Sequence, residues 1–131
     1  MIKRLSAFAA IAWLALLGGC MDDDRTPSYT YIQAGIFEPQ CATIGCHSSR
    51  ANIAGLSFDD FEDTYMRMTG GNCDDGPGMG GFVTPGNPDG SALMFRLLGD
   101  NVATRMPPDR PMPQGDIDLI SAWITDGAPC N

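Results

Sequence analysis

The chain carries a single histidine, His47, and a single lysine, Lys3, among its 131 residues. With one imidazole there is no general base to spare beside Ser48-Ser49, so a hydrolase triad is excluded. No stretch sustains the apolar–polar alternation of a half-buried strand, which leaves helices and loops. The one long apolar run, Leu5 to Leu17, is too short to span a bilayer comfortably. Positive charge is also scarce, with eight Lys and Arg against sixteen Asp and Glu and a net charge of −8. Such a chain lacks the cationic surface with which proteins displace counterions from nucleic acid.

The apolar run follows Lys3 and Arg4 and ends in Leu17-Gly18-Gly19-Cys20, the layout of a secretory signal with a small-residue cleavage site. Leu-Gly-Gly-Cys resembles the lipobox of bacterial lipoproteins, which implies that Cys20 is diacylated and becomes the first mature residue. The expected organisation is a signal peptide over residues 1–19, a lipidated N-terminus with an acidic spacer over 20–30, and one domain over 31–131. Asp22-Asp23-Asp24 and Pro27 fit a solvated stalk. Export to the periplasm or the outer membrane follows, with attachment to the membrane through lipid. Losing Lys3 and Arg4 takes the net charge from −8 to −10 and leaves six arginines. A basic docking surface on a partner protein would suit that charge.

Within the domain, Cys41-Ala42-Thr43-Ile44-Gly45-Cys46-His47 gathers two thiols and the only imidazole. A cysteine pair followed directly by histidine is the pattern of covalent c-type haem attachment, in which the thiols add to the vinyl groups and histidine becomes an axial ligand. Two residues usually separate the cysteines; here there are four. With no second histidine, the other axial ligand would be a methionine thioether, drawn from Met21, Met66, Met68, Met79, Met94, Met106 and Met112. Met66 and Met94 occupy helix-core positions. Met106 precedes Pro107-Pro108, which stiffen the loop that would hold it, and Met112 before Pro113 is the runner-up. Assigning Cys20 to lipid and Cys41 and Cys46 to haem leaves Cys73 and Cys130 to pair in an oxidising compartment. Two other arrangements stay open: a Cys3His zinc site from Cys41, Cys46, His47 and Cys73 or Cys130, and a haem-free binding or structural lipoprotein stapled by two disulfides.

Four helices are expected. Ile32, Ile36 and Phe37 share one face of a helix that Pro39 stops before Cys41. Ser57 and Asp60 suggest a capping box for a second helix through Phe58, Phe61, Tyr65 and Met66, ending at Gly70-Gly71. A third runs from about Ser91 to Leu98. The last spans about Gly115 to Asp126, with Ile117, Ile120, Trp123 and Ile124 on one face. Between them Gly76, Gly78 and Gly81 match a dinucleotide pattern only by accident, since no strand precedes and Pro85 and Pro88 follow. Asp74-Asp75 lack the spaced ligand series of a calcium loop. The apolar content is modest, and a haem would fill a core these short helices could hardly close alone.

Read together, Ile36-Phe37, Cys41 to Ser48, Gly55-Leu56, Val83-Thr84-Pro85-Gly86-Asn87-Pro88-Asp89-Gly90-Ser91, Arg105-Met106-Pro107 and Ile117 to Ala128 resemble the small cytochrome c domains of planctomycete-type and related bacteria. Members of that family often place four residues between the cysteines. The resemblance implies an all-α, cytochrome c-like fold with long loops, whose first and last helices cross beside one haem c. It implies attachment at Cys41 and Cys46, axial ligation by His47 and Met106, core packing for Met112, and electron transfer between redox partner proteins without substrate chemistry.

Overall fold

A computed structural model describes residues 24–99 and 104–131. The signal sequence, Cys20, Met21 and the first part of the acidic spacer lie outside the described residues. Among those described, the regular elements are helices, and the sole β feature is an isolated bridge between Asn72 and Gly76.

The first helical run has three contiguous pieces: α1 (Tyr29–Ile32), a π segment (Gln33–Phe37) and α2 (Glu38–Cys41). Ser28 caps it, its hydroxyl accepting the Tyr31 N–H at 3.2 Å. Pro39 does not stop the helix, contrary to expectation. It sits in the first turn of α2, directly after the widened π turn, where its missing N–H breaks no needed hydrogen bond. The helix therefore carries through to Cys41. The extra residue in the wide turn also lets Ile36 and Phe37, neighbours in sequence, both be buried.

Helix α3 (Phe61–Thr69) starts one turn later than the capping box suggested. Asp60 is itself the N-cap, accepting the Asp63 N–H at 2.7 Å, while the Ser57 hydroxyl donates to Asp59. Phe58 accordingly precedes the helix and is buried beneath the Cys41–His47 segment. Tyr65 and Met68 face inward from α3, which turns Met66 out to 51% exposure. The expectation of a core Met66 is thus corrected: helical spacing gives that place to Met68. Helices α4 (Ala92–Leu97) and α5 (Gln114–Thr125) follow closely the expected spans, and Pro113 opens α5 without a side-chain cap.

Tyr29 is the hub of the core. Its ring meets Phe61 and Tyr65 edge-on at 4.7 and 4.9 Å and stacks on Trp123 at 5.6 Å, which fastens α1 to α3 and α5. Its hydroxyl donates to the Phe61 carbonyl at 2.8 Å, and burial holds its pKa above the usual phenol value. Met112 is buried with these residues, Leu119 and Ile120. The glycine-rich loop after α3 folds back on its own backbone. A Cβ at Gly71 would lie 2.1 Å from the Gly76 carbonyl oxygen, and one at Gly78 would lie 2.3 Å from that of Gly70. The glycines serve this close crossing, which accounts for them without a nucleotide.

The tail returns to the core. Cys73 and Cys130 form a disulfide, the Tyr65 hydroxyl donates to the Ala128 carbonyl at 2.8 Å, and the Trp123 indole donates to Pro129 at 2.8 Å.

Candidate functional site

The segment linking the two free cysteines is a closed turn. Cys41 ends α2, the Cys46 N–H donates to the Thr43 carbonyl at 2.9 Å, and the His47 N–H donates to the Cys41 carbonyl at 3.0 Å. Four intervening residues are absorbed by this turn, with Ile44 at its tip 85% exposed. Both thiols border one cavity of about 430 Å³. That lies within the range of about 300–1,000 Å³ of ordinary ligand sites. Burial, with a smaller contribution from neighbouring Cys46, pushes the Cys41 thiol up to about 12. It is therefore a neutral thiol at ordinary pH.

His47 is oriented by a hydrogen bond and by a ring. Its Nδ1 lies 3.0 Å from the Ile53 carbonyl oxygen. A carbonyl only accepts, so Nδ1 is the donor in this contact and Nε2 is the nitrogen left for another partner. The Phe58 ring meets the imidazole edge-on, with centroids 5.5 Å apart. Ile53 sits in a 3₁₀ turn (Ile53–Gly55) between two residues in left-handed conformation, Asn52 (φ 45°) and Ala54 (φ 58°). Such conformations are costly for residues other than glycine and tend to gather at functional sites. Here they aim the carbonyl at His47. Asp59 holds the same loop closed, accepting the Ser57 hydroxyl, the Ser49 N–H at 2.8 Å and the Ser49 hydroxyl at 2.8 Å. These donors bring its carboxyl down to about 2.

The loop carrying Met106, which is 38% exposed, also borders the cavity. Its N–H donates to the Arg96 carbonyl on α4 at 2.9 Å, and the Met106–Pro107 bond is cis. The Arg105 guanidinium donates to the carbonyls of Pro107 at 3.4 Å and Pro108 at 3.2 Å. Met106, Pro107 and Pro108 all line the cavity. Met112 does not, and its burial in the core agrees with the packing role the resemblance implied. The remaining wall is mostly apolar, with Phe37, Leu56, Phe58, Met68, Phe82, Leu93 and Leu97, and Arg96 joins it from α4. Gln40 contributes a polar edge and is held by Asp116, whose other oxygen takes Arg25 at 2.5 Å.

Two free thiols, an imidazole whose Nδ1 is engaged by a carbonyl, a thioether on a proline-stiffened loop and a largely apolar lining fit a c-type haem. They do not fit zinc. Cys73 and Cys130 are spent on each other, and among the described residues no group of three His, Cys, Asp or Glu could hold a metal ion. The scheme of two disulfides is corrected as well, since Cys41 and Cys46 are both unpaired.

Sequence reasoning overlooked Arg96, Gln40, Asp59 and the Ile53 carbonyl. Arg96 did carry a signal, being the one charge in the otherwise apolar run Leu93 to Leu98. The Ile53 carbonyl carried none, because a backbone oxygen has no residue identity.

The sequence model described as Planctomycete cytochrome C matches residues 44–110, just over half of the chain. Among curated proteins and solved structures there is no significant match. The chain belongs to the planctomycete cytochrome C family.

Proposed function

We propose that this member of the planctomycete cytochrome C family is a single-haem c-type cytochrome that carries electrons without substrate chemistry of its own. The observation that carries this is the convergence of Cys41, Cys46, His47 and Met106 on one apolar cavity, with the Nδ1 of His47 committed to Ile53. When bound, haem supplies a one-electron couple at its iron. The chain's residues bind and orient it. Cys41 and Cys46 would hold it through thioethers, each thiol adding its S–H across a vinyl group so that no atom is lost. His47, through Nε2, and Met106, through its sulfur, would be the residues that hold the iron. Hydrogen bonding of Nδ1 to a carbonyl makes the imidazole a stronger donor, and a thioether ligand raises the potential. The apolar lining would limit water at the bound haem, and His47 and Met106 would both be committed to holding it.

The Leu-Gly-Gly-Cys motif supports an exported lipoprotein tethered through Cys20 at the outer side of a bacterial membrane. The acidic composition supports a basic redox partner, whose association would weaken as salt rises. The test is a pyridine haemochrome spectrum with intact mass, on protein expressed with cytochrome c maturation. One haem mass surviving denaturation is expected. A colourless protein would sink the assignment in favour of a structural or binding lipoprotein. Met106→Ala should keep the covalent haem but lose the methionine–iron charge-transfer band and lower the potential. An unchanged oxidised spectrum would remove Met106 as ligand.

A further inference from the structure

We propose that Arg96 couples the two halves of the site: its guanidinium positions the Met106 loop and is also the counter-charge for a carboxylate of the bound haem. This rests on the haem assignment above.

The positioning role follows from two contacts made by one residue. The Arg96 carbonyl accepts the Met106 N–H at 2.9 Å, and its Nη1 donates to the Thr104 carbonyl at 3.1 Å. Helix α4 thus grips the loop on both sides of Arg105, at Met106 itself and two residues before it. The carbonyl contact would persist with any residue at this position; the guanidinium contact with Thr104 is what Arg96 itself adds to holding the loop that carries Met106.

The second role follows from charge. Among the described residues, Arg96 is the only permanently charged side chain that lines the cavity, and no carboxylate joins it there. A haem is apolar except for two carboxylates on one edge. An apolar cavity with a single guanidinium at its exposed rim matches that distribution, carboxylate edge outward. Thr104 takes one of the five guanidinium N–H donors, which leaves a fork for a carboxylate. Lysine could supply the charge but not both contacts in one plane.

The test compares wild type, Arg96→Lys and Arg96→Gln, each matured with haem. Intact mass after denaturation, reduction potential, the temperature at which the methionine–iron band disappears, and global unfolding by circular dichroism are measured on each. All three should retain covalent haem and unfold globally within a few degrees of one another. Arg96→Gln should lower the potential, because removing a nearby cation favours the oxidised iron. It should also lose the band well below global unfolding. Arg96→Lys should restore the potential but lose the band early, since charge returns and the fork does not. If Arg96→Gln matches wild type in both potential and band, Arg96 is only a solvated side chain. A change in one readout alone overturns the shared role. Wild-type protein without covalent haem overturns the haem assignment and this proposal together, and the mass measurement separates that case from the others.

Discussion

Replacing Cys73 and Cys130 together by serine isolates what the disulfide does. The bond spans 57 residues of sequence. In the chain-entropy description a loop of that length restricts the unfolded state by about 4 kcal/mol at 25 °C, inside the roughly 2–5 kcal/mol lost when native disulfides are removed from small domains. For a domain of this size each kcal/mol moves the melting point by about 4–8 °C, so a fall of about 15–30 °C is expected. The native fold should nonetheless survive at low temperature. The tail keeps the Tyr65–Ala128 and Trp123–Pro129 hydrogen bonds, and Tyr29 and Thr30 donate their N–H groups to Asn131. Each of these contributes about 1 kcal/mol. Neither cysteine lines the cavity, so haem mass and visible spectrum should be unchanged. Thermal unfolding of the holoprotein, followed at the haem band and by far-ultraviolet circular dichroism, gives both numbers. A loss below about 1 kcal/mol would refute the entropy argument, and loss of haem would put Cys73 inside the site.

Cys41 in the haem-free protein should alkylate at pH 8 on the order of a hundredfold more slowly than an unstructured cysteine; a pKa near 12 makes its thiolate scarce, partly offset by greater thiolate nucleophilicity. Equal rates in a peptide-mapped labelling series would contradict its burial. Met112→Ala should cost about 2–5 kcal/mol in denaturant unfolding while leaving the methionine–iron band intact, as a buried core residue rather than a ligand. The Asp59 carboxyl is depressed to about 2 by the Ser57 hydroxyl and by Ser49, so its contribution is present above the usual carboxylate value near 4 and lost as pH falls toward 2. Wild type should therefore lose more melting temperature between pH 4 and 2 than Asp59→Asn, and parallel slopes would count against the loop clamp.

Much of the helical layout was legible because apolar residues recur at helical spacing around strong terminators. Gly70 at φ 72° ends α3 where glycine predicted a stop, and Gly127 at φ 94° follows the end of α5. The Cys73–Cys130 pairing was legible by parity, once Cys41 and Cys46 were given to haem. Pro39 misled, because a proline rule presumes α-helical bonding and the preceding turn is a π turn. Ser57 misled for a different reason: its hydroxyl had a better acceptor in Asp59 than in the helix N-terminus. Met66 and Met68 are chemically identical, and only the true start of α3 at Phe61 decides which one is inside. The ligand candidates could be named from residue type and spacing, whereas the turn at Asn52–Gly55 and the grip of Arg96 on Thr104 arise from backbone oxygens.

The contacts of Tyr29 and Thr30 with Asn131 bring the two ends of the domain side by side. The domain is thus a clasp whose ends leave from one edge, so its sequence can be cut elsewhere and rejoined there. A permutant joined from Asn131 to Ser28 by a short linker and opened in an exposed loop between His47 and Met106 would place Met106 before Cys41 in the chain. Ends that meet in this way would also let the unit be inserted within a longer polypeptide.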